Sequence, residues 1–227
     1  MPRCNARCAA YRTGTARTSK QVAVALGPAF YARDTIRVAR ALLGCVLESR
    51  AGGRMTSGRI VEVEAYVGPH DPAAHGYGGT RRTRNASMFG PPGTAYVYRS
   101  YGLHWCFNVV TEKEGYPAAV LVRALEPLRG RRVMAVRRGT LDPHGWCAGP
   151  GRLAQALDIT GACDGTSLQG SPLRIIPPRE ATRRVVYSSP RIGVSKAADW
   201  PLRFVIAGSE WTSRPGRDRT ASRTRRT

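Results

Sequence analysis

The sequence predicts an α+β fold: a single mixed domain with a curved, largely antiparallel β-sheet flanked by helices, and one β-hairpin protruding from it. Three observations predict it. Strand-like segments dominate the middle of the chain and follow one another through short turns. Helical segments sit around them. Aliphatic runs recur from Val22 to Ile206 with no linker or repeat between them, and 227 residues suffice for one sizeable core.

The elements follow in order. DTIRVARALLG (34–44) predicts a short helix, with Asp34 as N-cap, Ile36, Ala39, Leu42 and Leu43 as its apolar stripe, and Gly44 as its stop. CVLES and RIVEVEAY predict two strands joined through AGG (51–53), a hairpin. TAYVYRSY, HWCFNVV and AAVLVRALEP predict three more strands, with turns near Gly102 and at EKEGYP. LRGRRVMAVRRG (128–139) and GRLAQALDI (151–159) predict helices, and PLRIIP and PLRFVIAG late strands. Residues 1–22 and 212–227 are poor in apolar side chains and are expected to be basic, disordered tails, leaving a folded body over 23–211.

Formal net charge is +21. The tails account for much of it, with about +11 remaining on residues 23–211, which favours polyanionic partners. Only three basic residues are lysines: Lys20, Lys113 and Lys196. The six cysteines include no C-x-x-C pair, and no histidine cluster has zinc spacing, so neither a metal nor a disulfide framework is expected. No apolar run approaches the ~18 residues of a membrane span.

RIVEVEAYVGPHDPAAH (59–75) carries the chemistry-bearing side chains. Strand alternation puts Ile60, Glu62, Glu64 and Tyr66 on one face, and Val61, Val63 and Ala65 on the other. Two carboxylates and a phenol on one face fit an ordinary solvated surface. They also fit a site, because the turn after Tyr66 returns His75 towards the strand's end. Six of the nine tyrosines lie between residues 66 and 116. Tyr96 and Tyr98 share a strand face. Tyr101 sits with Gly102 and Leu103 at a hairpin tip, flanked by Arg99 and His104. Such side chains either pack against a neighbouring strand, or form a wedge and wall for an unstacked base.

RIVEVEAYVGPHDPAAH, RTRNASMFGPPGTAYVYRSYGLHWCFNVV, AVLVRALEP and CAGPGRLAQALDI, in this order, resemble the alkyladenine (3-methyladenine) DNA glycosylase family. The likeness runs from about residue 26 to residue 211. It implies a catalytic domain over 23–211, similar in fold to the C-terminal domain of formyltransferases, that binds duplex DNA in the minor groove as a monomer. It also implies excision of alkylated or deaminated purines (3-methyladenine, 7-methylguanine, hypoxanthine, ethenoadenine) by flipping and N-glycosidic hydrolysis. By position, Glu64 matches the general base and Arg123 the arginine that holds the attacking water. Tyr66, His75 and Tyr98 match residues around the flipped base, and Asn108 the amide at the pocket edge. Tyr101 matches the intercalating residue. Ile192 falls where the family has a pocket-lining valine, and Leu103 where it often has a methionine. The segments around RIGV are short, which bears on base preference.

A water activated by a carboxylate suits displacement at a sugar carbon. Strand cleavage would need an amine nucleophile, and none of the three lysines is a good buried candidate, so a monofunctional enzyme without cofactor is expected. Arg81, Arg82 and Arg84 (in GGTRRTRN), and Arg152 at a helix start, are candidates for backbone phosphates or simply solvated loops. The alternative is a non-catalytic damaged-DNA-binding protein on the same scaffold. The expected location is the cytoplasm and nucleoid in a bacterium, and the nucleus or mitochondrion in a eukaryote.

Overall fold

The computed structural model describes residues 24–178 and 184–214. After a four-residue helix α1 (Pro28–Tyr31), helix α2 (Thr35–Leu42) starts at Asp34, whose carboxylate accepts from the Arg37 N–H, and buries Val38, Ala39 and Leu42. Strands β1 (Val46–Ser49), β2 (Thr56–Tyr66), β3 (Ala95–Ser100), β4 (His104–Thr111) and β5 (Ala118–Arg129) follow. Three helices come next: α3 (Arg131–Arg138), α4 (His144–Cys147) and α5 (Pro150–Leu157). Strands β6 (Leu173–Ile176), β7 (Val186–Ser189) and β8 (Arg203–Ile206) close the sheet. The fold is α+β, and every strand pair is antiparallel.

The sheet order is β3-β4-β5-β2-β1-β6, with β8 also paired to β2 and β7 to β8. The eleven-residue β2 is its spine. It pairs with β5 along its length on one edge, and on the other with β1 near its start and β8 near its end. One face of the sheet, covered by α2, α3, α4 and α5, carries the main core, which includes Leu47, Val63, Phe107, Val122, Leu125, Met134 and Leu153. Burying each of the larger of these side chains contributes roughly 1.5–3 kcal/mol. On the opposite face a smaller cluster of Ala74, Met88, Tyr96, Val110 and Ala119 lies beneath the segment between β2 and β3.

Four expectations are corrected. Ile60 does not share a face with the glutamates; it packs in the main core with Val63 and Ala65. The pairing of β2 with β5 slips by one residue at Val61 and back at Arg123, so the alternation resets between Ile60 and Glu62. Next, Leu128 and Arg129 belong to β5, and α3 begins only after Gly130, whose φ of 79° turns the chain out of the sheet. Val186–Ser189 forms a strand that the sequence pattern did not show, because its burial comes from pairing with β8 rather than from alternation. Finally, the body runs past residue 211: Thr212 is buried, and Ser213 bonds to Glu62. The remainder of both expected tails lies outside the described residues.

Candidate active site

One register row crosses the sheet. Tyr96 on β3 stands opposite Asn108 on β4, Asn108 opposite Leu121 on β5, Leu121 opposite Glu64 on β2, and Glu64 opposite Arg203 on β8. Residues in register share a face. Tyr96, Asn108 and Leu121 line a cleft of about 1070 Å³, together with Tyr66, Tyr98, Arg123 and Ile192.

Glu64 is fully buried and does not itself line the cleft, whereas its contacts Arg123, Ile192 and Tyr66 do. Its Oε1 is 3.2 Å from Arg123 Nη1 and accepts the Ile192 backbone N–H at 2.7 Å; its Oε2 accepts the Tyr66 hydroxyl at 3.0 Å. Burial pushes its pKa above the ordinary carboxylate value, against the pull of Arg123, the Ile192 N–H and Tyr66. The charge of Arg123 therefore does not by itself decide the ionisation of Glu64. Burial and the neighbouring Glu64 charge raise the Tyr66 phenol, which remains a donor.

Glu62, one pleat away, meets four donors. Its Oε1 accepts from Arg123 Nε (2.9 Å), Arg203 Nε (2.8 Å) and the Ser213 hydroxyl (2.7 Å), and its Oε2 from the Ser213 N–H (2.6 Å). Although burial works in the opposite direction, Arg123, Arg203 and Ser213 together hold its pKa below the ordinary value.

The aromatic wall is a connected set. His75 Nδ1 is 2.7 Å from the Tyr96 hydroxyl, and its ring meets Tyr98 edge-on at 4.5 Å between centroids. Tyr96 and Tyr98 stack at 5.4 Å. Burial, with the nearby Arg84 charge, lowers the His75 pKa and favours the neutral ring. Asn108 is buried, and its amide nitrogen donates to the Tyr96 carbonyl (3.0 Å) and the Cys106 carbonyl (3.4 Å). Those two carbonyls fix which way the amide points, so its oxygen is the end left for the cleft.

At the β3–β4 tip, Tyr101 (φ 50°) and Gly102 (φ 70°) both have positive φ, and the Leu103 N–H closes onto the Ser100 carbonyl at 3.0 Å. This is the demand of a type I′ turn, which glycine meets freely and tyrosine does not. Tyr101 is 90% exposed and Leu103 72% exposed. A strained, solvent-facing tyrosine is a cost without a packing return, and points to a role outside the fold.

Arg81, Arg82 and Arg84 are exposed on the segment between His75 and β3, which is knotted by buried Asn85, bonded to the His75 and Thr80 carbonyls; Arg84 reaches the cleft wall. Arg152 is exposed on α5, away from the cleft lining, whereas Pro150 at the start of the same helix does line it. Lys196 also stands on the cleft wall, exposed to solvent. Among the described residues no group of three or more His, Cys, Asp or Glu side chains is placed to hold a metal ion.

Two side chains were missed by sequence reasoning. Arg191 and Asp71, both fully buried, form a two-pronged ion pair at 2.5 and 2.9 Å, and Arg191 also donates to the Ala65 carbonyl at 3.1 Å. Its guanidinium lies over the Tyr66 ring at 4.7 Å. This pair ties the loop that presents the Ile192 N–H to the turn after β2. Asp71 was legible only as a turn residue, and Arg191 was one of many arginines.

Residues 29–210 match the family described as methylpurine-DNA glycosylase (MPG). The chain belongs to that family. A protein of Methanoculleus marisnigri is 54% identical over 193 residues, covering 83% of this chain and 98% of its own. One of Rhodopseudomonas palustris is 51% identical over 195 residues, covering 84% and 91%. One of Desulfitobacterium hafniense is 43% identical over 199 residues, covering 83% and 98%. All three bear the name "Putative 3-methyladenine DNA glycosylase". Members of a DNA glycosylase family are hydrolases of N-glycosyl bonds, and DNA is their partner. The relatives are bacterial and archaeal, and no helix among the described residues is long and apolar enough to cross a membrane.

Proposed function

We propose that this methylpurine-DNA glycosylase family member extrudes alkylated or deaminated purines from duplex DNA, approached through the minor groove, and hydrolyses their N-glycosidic bond with a water activated by Glu64. The observation that carries the reading is the contrast between the two buried glutamates. An ionised carboxylate offers about four acceptor positions. Glu62 meets four donors, whereas Glu64 meets three, and its Oε2, met only by the Tyr66 hydroxyl, keeps a position. A water held there by Glu64 and Arg123 attacks the sugar carbon opposite the departing base. Its proton passes to the carboxylate, and the C–N bonding pair leaves with the purine. A cationic 3-methyladenine or 7-methylguanine leaves as the neutral base. Hypoxanthine gains from protonation.

The cleft fits this use. Tyr66, Tyr98 and His75 offer aromatic surfaces to a base, with Asn108 and Ile192 alongside. Tyr101 and Leu103 fill the vacated stack, and Arg81, Arg82, Arg84 and Arg152 meet backbone phosphates, as a single chain acting alone. Water is the nucleophile in preference to Lys196, whose exposed ammonium is solvated.

Oligonucleotide duplexes each carrying one lesion test the reading. The protein is expected to release free base from hypoxanthine- and methylpurine-containing duplexes, leaving an abasic strand that is cut only after alkali and is not trapped by borohydride. Binding with no base release would favour a damage sensor instead. Tyr101→Gly is expected to slow single-turnover release by about tenfold, the scale of one lost stacking contact. It relieves the positive-φ strain, so the melting temperature should stay or rise. A fall in both would make Tyr101 a folding residue.

A further inference from the structure

We infer that Glu62, locked by Ser213 of the C-terminal segment, is a positioning residue that sets the geometry of the Arg123–Glu64 pair. The inference rests on the roles given above to Glu64 and Arg123.

A guanidinium is planar and rigid, so fixing one edge fixes the rest. Glu62 takes Arg123 by Nε at 2.9 Å, which leaves Nη1 3.2 Å from Glu64. Were Glu62 free to rotate, Arg123 could swing wholly onto Glu64 and close the acceptor position the water needs. It is not free. Arg203 from β8 holds one of its oxygens, and Ser213 holds both, by its hydroxyl and its N–H. The segment carrying Ser213 is itself anchored: Thr212 is buried, and Trp211 stacks on His144 of α4 at 4.3 Å. The slips at Val61 and Arg123 bring these partners to one face. Residues that composition assigns to a tail thus complete the support of the water-holding arginine.

Glu62 also acts on Glu64 through space. The groups facing Glu64 are Glu62 and Tyr66 on β2, Arg123 on β5, Cys106 on β4, Tyr98 on β3 and the Ile192 N–H, while Arg203 on β8 is turned to Glu62. Of these, the negative charge of Glu62 opposes ionisation of Glu64, and it divides the attraction of Arg123. Without that charge, Glu64 would lose its proton at lower pH.

The test is single-turnover release of hypoxanthine from duplex DNA as a function of pH, for the full chain and for Glu62→Gln, Ser213→Ala, Glu64→Gln and the Glu62→Gln/Glu64→Gln double variant. Binding to a duplex with a tetrahydrofuran abasic analogue reports folding and docking. Glu62→Gln is expected to slow release about 10–100-fold, the scale of a misplaced catalytic group, with binding unchanged and the acidic limb moved to lower pH. Ser213→Ala, which keeps the N–H donor, should move both in the same direction by less, and it carries the test if Glu62→Gln fails to fold. Glu62→Gln should slow Glu64→Gln no further. An unmoved acidic limb in the folded variants, or an equal slowing in the Glu64→Gln background, would overturn the inference while leaving the reading of Glu64 intact. Full-speed release by Glu64→Gln would overturn both.

Discussion

Glu64→Gln is expected to slow single-turnover release of hypoxanthine from duplex DNA by about 10²–10⁴-fold, the range of a lost general base. Affinity for a duplex with an abasic analogue should not change, because the side chain is fully buried and touches Arg123, Ile192 and Tyr66 rather than a surface. Gln keeps the shape, with its oxygen accepting from the Ile192 N–H and its NH2 donating to the Tyr66 hydroxyl, but it cannot take a proton from water. The slowing should be smaller for a cationic 7-methylguanine, whose departure needs less help from the nucleophile.

The same substitution predicts a stability effect of opposite sign. Folding raises the Glu64 pKa, so the folded state binds this proton more tightly than the unfolded chain does. The stability linked to the protonated acid is present below the unfolded value, 4.5, and is lost as pH rises through the higher folded value. At neutral pH an ionised Glu64 is therefore a burden on the fold, and the neutral Gln variant should melt at an equal or higher temperature than the native chain. Calorimetry at neutral and acidic pH checks this, with the difference shrinking as pH falls. The acidic limb of kcat/KM in the native enzyme should lie above pH 4.5 for the same reason, with activity lost as Glu64 becomes protonated. A variant that is inactive and also melts early would mean that Glu64 supports the fold rather than the chemistry.

Most of the strand order of appearance was legible, because turn residues and β-branched runs mark it: β1 to β5 and the late strands β6 and β8 arise where RIVEVEAY, TAYVYRSY, AVLVRALEP and their neighbours stand. The face assignment failed at one point, for a physical reason. RIVEVE alternates without a break, and nothing in it marks Val61 as the residue that the partner strand passes over. That slip depends on β5 and on the exchange of β1 for β8 along the edge of β2, which are long-range facts. Glu62 illustrates the consequence. Sequence gives two like carboxylates two residues apart. Only the placement of Arg203 and Ser213, both far along the chain, gives Glu62 partners that Glu64 lacks. The cleft wall was legible as a tyrosine-rich pair of strands, whereas the exposure of Arg152 away from the cleft depends on how α5 packs.

Asp71→Ala is expected to cost about 3–5 kcal/mol of stability, because it strands the fully buried Arg191 guanidinium without its counter-charge. For a chain of this size that lowers the melting temperature by roughly 6–20 °C. Base release should also slow well below the transition, since Arg191 precedes the residue whose N–H meets Glu64, and only the Ala65 carbonyl and the Tyr66 and Trp200 rings would then steer it. The double variant Asp71→Leu/Arg191→Met separates the two effects. Filling the site with apolar side chains removes the stranded charge and should recover much of the stability. It does not restore the two-pronged bond that fixes the loop's angle, so release should remain slow. Thermal melts, with single-turnover rates at a temperature where all forms are folded, decide it. A double variant that recovers both stability and rate would mean that the loop needs only to be packed, not aimed, and that the Ile192 N–H finds Glu64 without Arg191.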